Sequence, residues 1–137
     1  MGALTHFGVT VVAQIMTLDQ SEAVRLNPDR LGELYRQLGE AGAEDVICRA
    51  IEELAVRLSH CEQAWRKNEP EALARHARSL IAISDQIGMT ALARVADDVD
   101  QALASGDHVA VAATLFRLIR IGESSLTAVW DQRDLSI

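Results

Sequence analysis

Residues 44–66 read EDVICRAIEELAVRLSHCEQAWR, and their apolar positions decide the fold. Ile47, Ile51, Leu54, Leu58, Cys61 and Trp65 follow one another at steps of four and three, while Glu52, Glu53, Arg57 and Glu62 fall off that line. Such steps return side chains to one face of a 3.6-residue turn, so the stretch predicts a long amphipathic helix. A helix that is apolar along one stripe needs neighbours to cover it, and the flanking sequence supplies them. Upstream, Asn27 and Pro28 offer a cap and a first-turn proline, and Leu31, Leu34 and Leu38 recur at helical spacing until Gly39 and Gly42. Downstream, Asn68 with Glu71 resembles a capping box that opens a third helix, whose Leu73, Ala77, Leu80, Ser84 and Ile87 share one face before Gly88.

Two further patterns follow. Leu92, Val95, Ala96, Val99 and Leu103 face inward on a helix ending at Ser105-Gly106, and Asp107 is placed to cap the last helix. There Ala112, Leu115, Ile119, Gly122, Leu126 and Val129 form the stripe. A mid-helix glycine costs roughly 1 kcal/mol against alanine, so Gly122 implies a backbone that another helix approaches closely. Four long patterns joined by short loops predict an all-α, antiparallel up-and-down four-helix bundle over residues 27–133, with the short helix covering one end. Residues 1–26 form an N-terminal extension: Phe7, Val11, Ile15 and Leu18 fit a helix, Phe7, Val9 and Val11 a strand, and helix is the expectation retained. The extension packs on its own bundle or on a partner.

Composition narrows the function classes. The chain has 137 residues, 49% hydrophobic and 24% charged, which fits one domain and neither a disordered chain nor a membrane span. Its net charge is −7 and its only lysine is Lys67, so no basic footprint for nucleic acid exists. Cys48 and Cys61 lie thirteen positions apart on one predicted helix, about 20 Å along its axis, too far to pair. The residues after Met1 lack the basic start and small-residue cleavage site of a secretory signal, and a cytoplasmic location is expected.

The run ARHARSLIAISDQIGM, residues 74–89, resembles the signature helix of histidine-containing phosphotransfer domains, roughly A-H-x-L-K-G, then five residues, then glycine. With Leu80 and Gly88 aligned to that pattern, Arg78 stands at the phospho-accepting histidine, Ile81 at the lysine and Ala82 at the small glycine. The similarity in helix order extends from about Leu26 to Trp130. It implies a phosphorelay module of two-component signalling that binds the receiver domain of a response regulator, with a sensor histidine kinase as a further partner. The same departures imply that the phosphotransfer chemistry is gone, because a guanidinium is permanently protonated and offers no nucleophilic lone pair. The surface expected to dock the receiver is Arg75, Arg78, Ser79, Ile81, Ala82 and Asp85, with no cofactor and no metal.

Helical geometry examines the remaining imidazole independently. Advancing about 100° per residue from Leu73 puts Ala77, Leu80, Ser84 and Ile87 within about 40° of it, Arg78 near 140° and His76 near 300°. Arg78 therefore points outward with Glu71, Arg75, Ala82 and Asp85, whereas His76 turns toward a neighbouring helix. An active phosphotransfer protein using His76 is the first rival reading, and it requires an exposed ring. A self-associating scaffold, dimeric through residues 1–26 and unrelated to receivers, is the second.

Other residues carry bland readings. His60, Cys61 and His76 come level across the turn at Asn68, which packing explains better than a metal lacking further ligands. Asp97, Asp98 and Asp100 point different ways around a helix and read as a solvated face. His6 and His108 are solvated or capping residues, and Trp65 and Trp130 pack in the core or at its rim. Ser79, Ser84, Ser124 and Ser125 lie in no nucleophile motif.

Overall fold

The computed structural model describes residues 27–136, with side chains through Thr127; the expectations for residues 1–26 and for the side chains of Val129 and Trp130 fall outside it. Four helices follow one another: α1 (Pro28–Arg66), α2 (Pro70–Gln86), α3 (Thr90–Ser105) and α4 (His108–Ser136). Each packs against the next, and α4 returns to α1, so the chain closes an up-and-down bundle. No strand occurs among the described residues.

The short covering helix is present as the first part of α1. Asn27 caps it, its Oδ1 accepting from the amides of Asp29 at 2.9 Å and Arg30 at 3.4 Å. Gly39 interrupts the helix with φ 74° and ψ 175°, a conformation open to glycine, and Gly42 continues as ordinary helix. The break turns residues 28–38 across the end of the bundle, where Leu31 and Leu34 are buried. Two contacts fasten this segment. The Asn27 amide donates to the Gly88 carbonyl at 2.7 Å, and Arg30 Nε donates to the carbonyls of Gln86 at 3.1 Å and Asp85 at 3.3 Å, the latter shared with the Gly88 amide at the end of α2.

One turn geometry joins the helices three times. Asn68 (φ 56°), Gly88 (φ 78°) and Gly106 (φ 73°) are left-handed. Each is followed by an amide that reaches back five residues: Glu69 to Ala64, Met89 to Ser84 and Asp107 to Ala102. The capping box read at Asn68 and Glu71 is thereby corrected: Asn68 closes α1, and α2 starts after Glu69 without a side-chain cap. Asp107 does cap α4, its Oδ1 accepting from the Ala110 amide at 3.0 Å.

The core joins Leu54 and Leu58 of α1, Leu73, Ala77 and Leu80 of α2, Val95, Ala96 and Val99 of α3, and Leu115 and Leu118 of α4. Gly122 makes the close approach its sequence position implies, because a Cβ there would stand 2.9 Å from Leu58 Cδ2 and nearer still to Cδ1. The buried face of α4 is rotated from the expected stripe: Val111, Leu118, Ile121 and Ser125 are buried, while Ala112, Ile119 and Leu126 are half-buried. On α1 the stripe ends at Ala64, and Trp65 sits at the rim, its ring edge-on to Phe116 with centroids 5.3 Å apart. No helix among the described residues is long and apolar enough to cross a membrane.

Candidate functional site

The sequence of α2 alternates its two faces cleanly, and that alternation builds the site. Leu73, Ala77, Leu80 and Ser84 are buried. Arg75, Arg78, Ala82 and Asp85 are exposed, and Ser79 and Ile81 are half-buried flanks, Ile81 packing against the core. Arg75 and Arg78 line an open groove of about 450 Å³ between α2 and α3, together with Pro70, Glu71, Ala74, Asp100, Leu103 and Ala104. Ser79, Ile81, Ala82 and Asp85 are not among its lining residues, and Asp85 lends its carbonyl to Arg30. The expected docking residues thus divide into an arginine pair in the groove and a further stretch of α2 toward Gly88.

Arg78 is 60% exposed. Its Nε donates to the Ala74 carbonyl at 3.3 Å and lies 3.8 Å from Asp100 Oδ1. Asp100 was read as part of a solvated acidic face, and it faces Arg78 across the groove instead. Counting equally outward from the turn at Gly88 brings Arg78 level with Asp98 and thus to the neighbourhood of Asp100, but the choice between the two carboxylates rests on how α2 and α3 face each other.

His76 lies in the α1–α2 seam, half-buried. Its ring centroid is 4.8 Å from that of His60, tilted at 54°, and Arg57 Nη1 approaches its Nδ1 at 3.3 Å. A guanidinium only donates, so Nδ1 accepts and the ring proton resides on Nε2. Arg57 is held in turn by Glu53, Nε to Oε1 at 2.8 Å. Burial, then His60, Arg57 and Arg75, push the His76 pKa below its ordinary 6.5. The neighbouring Cys61 thiol is buried and pushed up to about 12, which keeps it protonated and a poor metal ligand or nucleophile. No group of three or more His, Cys, Asp or Glu side chains among the described residues is arranged to hold a metal ion.

The His76 shift has a signed consequence. The unfolded chain binds the proton first as pH falls through 6.5, so stability present above that value is lost on acidification. His76→Gln removes the titrating ring, and its unfolding free energy should fall less steeply between pH 7 and pH 5 than that of the unaltered protein. Urea titrations across that range decide, and equal slopes would show that the ring is not the sensitive group.

A second cluster escaped sequence reading. At the Gly39 break, the Tyr35 hydroxyl and one oxygen each of Glu40 and Glu44 are buried without a hydrogen-bond partner among the described residues. Burial, then Glu40, raises the Glu44 pKa. Glu40 and Glu44 lie four residues apart after the break, and Tyr35 lies before it, so helical spacing does not carry the tyrosine to the pair. His108 is exposed at the start of α4.

Comparison of the chain with protein-family models, with curated proteins and with solved structures finds no match.

Proposed function

We propose that this chain is a receiver-docking module of two-component signalling, similar to histidine-containing phosphotransfer domains but without a phosphohistidine of its own. One observation carries the reading: Arg78 stands exposed on α2, at the position the resemblance assigns to the acceptor, beside a groove that also holds Arg75. A planar, permanently charged fork at that station suits carboxylates, such as those of an acidic phosphorylation pocket, and forms bidentate ion pairs with them. Exposed Ala82, one turn on, leaves low relief for a docking surface. The setting implied is a cytoplasmic phosphorelay, with receiver domains and a sensor histidine kinase as partners and no cofactor.

The rival relay through His76 meets two obstacles. Its ring is half-buried against His60, and donation from Arg57 to Nδ1 leaves the proton on Nε2, so that neither nitrogen offers an open lone pair to a phosphoryl group. Self-association through residues 1–26 is tested separately by light scattering on the chain with and without them.

The deciding experiment mixes the protein with phosphorylated receiver domains and measures acid-labile phosphate on it. The unaltered protein is expected to bind a receiver and acquire no phosphate, and Arg78→His to gain transfer. Phosphate on the unaltered protein that disappears in His76→Ala would replace this reading with the relay, and no binding to any receiver would end it.

A further inference from the structure

Arg78 and Asp100 make the one ion pair among the described residues that joins two helices; the other four lie within single helices. It is loose. At 3.8 Å the two atoms are outside hydrogen-bond range, and the described contacts of Arg78 all run through Nε, leaving both Nη groups open. Asp100 is 30% exposed, and no described contact engages its Oδ2. An exposed pair of this kind contributes little to stability, so the fold gives little reason to set these charges opposite each other. The groove lining nevertheless sets Arg78, with its open fork, opposite Asp100, with an open oxygen, beside Arg75, Glu71 and the apolar Ala74 and Leu103.

We infer that the α2–α3 groove is a dipolar recognition site: Arg78 takes a carboxylate of the docked receiver, and Asp100 takes a lysine or arginine that the receiver presents beside it. The inference rests on the receiver-docking reading and adds the second charge. Charge complementarity supports this occupant. Each member of the internal pair exchanges a distant partner for a closer one, and the four charges alternate in sign. A wholly acidic surface would meet repulsion from Asp100 and Glu71, and a wholly basic one from Arg75 and Arg78, so the arrangement selects against single-sign partners.

The test measures Kd for the full chain with a receiver domain that binds it, at two salt concentrations. Arg78→Ala and Asp100→Asn should each weaken binding, roughly tenfold, with weaker salt dependence than the unaltered protein, and Asp100→Glu should restore most of the loss. Helical circular dichroism and melting of Asp100→Asn should stay unchanged, which separates lost recognition from lost fold. If Asp100 merely competes for Arg78 within the molecule, Asp100→Asn binds more tightly; that result, or no change while Arg78→Ala still weakens binding, overturns the dipolar site and leaves receiver docking standing. No binding by the unaltered protein overturns receiver docking, and the site with it.

Discussion

Leu58→Ala should cost the bundle ~2–5 kcal/mol, and in that background Gly122→Ala, harmful alone, should become stabilising. The sign reversal follows from one contact. A Cβ at Gly122 would stand 2.9 Å from Leu58 Cδ2, and Leu58 is buried among core residues, so it has little room to withdraw. Overpacking costs about 1–3 kcal/mol, against a gain of roughly 1 kcal/mol in helix propensity, and the balance for Gly122→Ala alone is a net loss. Truncating Leu58 removes both terminal methyl groups that crowd the site. The new methyl then enters the space they leave, and the propensity gain is kept. A double-mutant cycle by urea denaturation measures this; additive effects would mean that α1 and α4 do not meet at these residues.

Gly88→Ala should cost about 2–3 kcal/mol, more than Gly106→Ala, although both glycines end helices with nearly equal positive φ. Left-handed strain is common to the two. At Gly106 a Cβ meets nothing within 4 Å, whereas at Gly88 it would stand 3.1 Å from the Asn27 nitrogen and 3.2 Å from the Asn27 oxygen. Those atoms belong to backbone, and the Asn27 amide is already committed to the Gly88 carbonyl at 2.7 Å. Relief requires moving the covering segment away from the end of α2. Amide exchange should therefore accelerate over residues 27–38 before it does over 44–66, and equal costs for the two glycines would refute the crowding argument.

Helix content, order and most of the core were legible in the sequence because α1, α2 and α3 each have one apolar face and one charged face. Arg78 outward and His76 sideways follow from angle alone. Where both faces are apolar, angle decides less: residues 109–119 of α4 are VAVAATLFRLI, and contact with α1 and α3 sets the rotation, burying Val111 and Leu118 in place of Ala112 and Ile119. The steps from Ile47 to Trp65 average 3.6 residues, so angle alone keeps Trp65 on the stripe; what angle does not show is that the helix ends one residue later, where Ala64 is buried and Trp65 lies at the rim against Phe116. The arginines of the groove were legible from one helix, whereas Asp100 belongs to another and becomes visible only once α2 and α3 are set side by side. The Asn68 turn was misread because asparagine serves both as a cap and as a left-handed residue, and Pro70 then fixes where α2 begins.

The three left-handed turns also bear on how quickly the chain finds its structure. They make each of α2, α3 and α4 pack on the helix before it, so most pairings form between sequence neighbours at small loop-closure cost. Two closures span longer stretches of chain: α4 against α1, and the covering segment against the turn at Gly88. A hairpin-by-hairpin route leaves these until last, with the Leu58–Gly122 contact unformed at the barrier. Changes at that contact then act chiefly on the unfolding rate, and the lifetime of the native bundle is governed by the seam where its first and last helices meet.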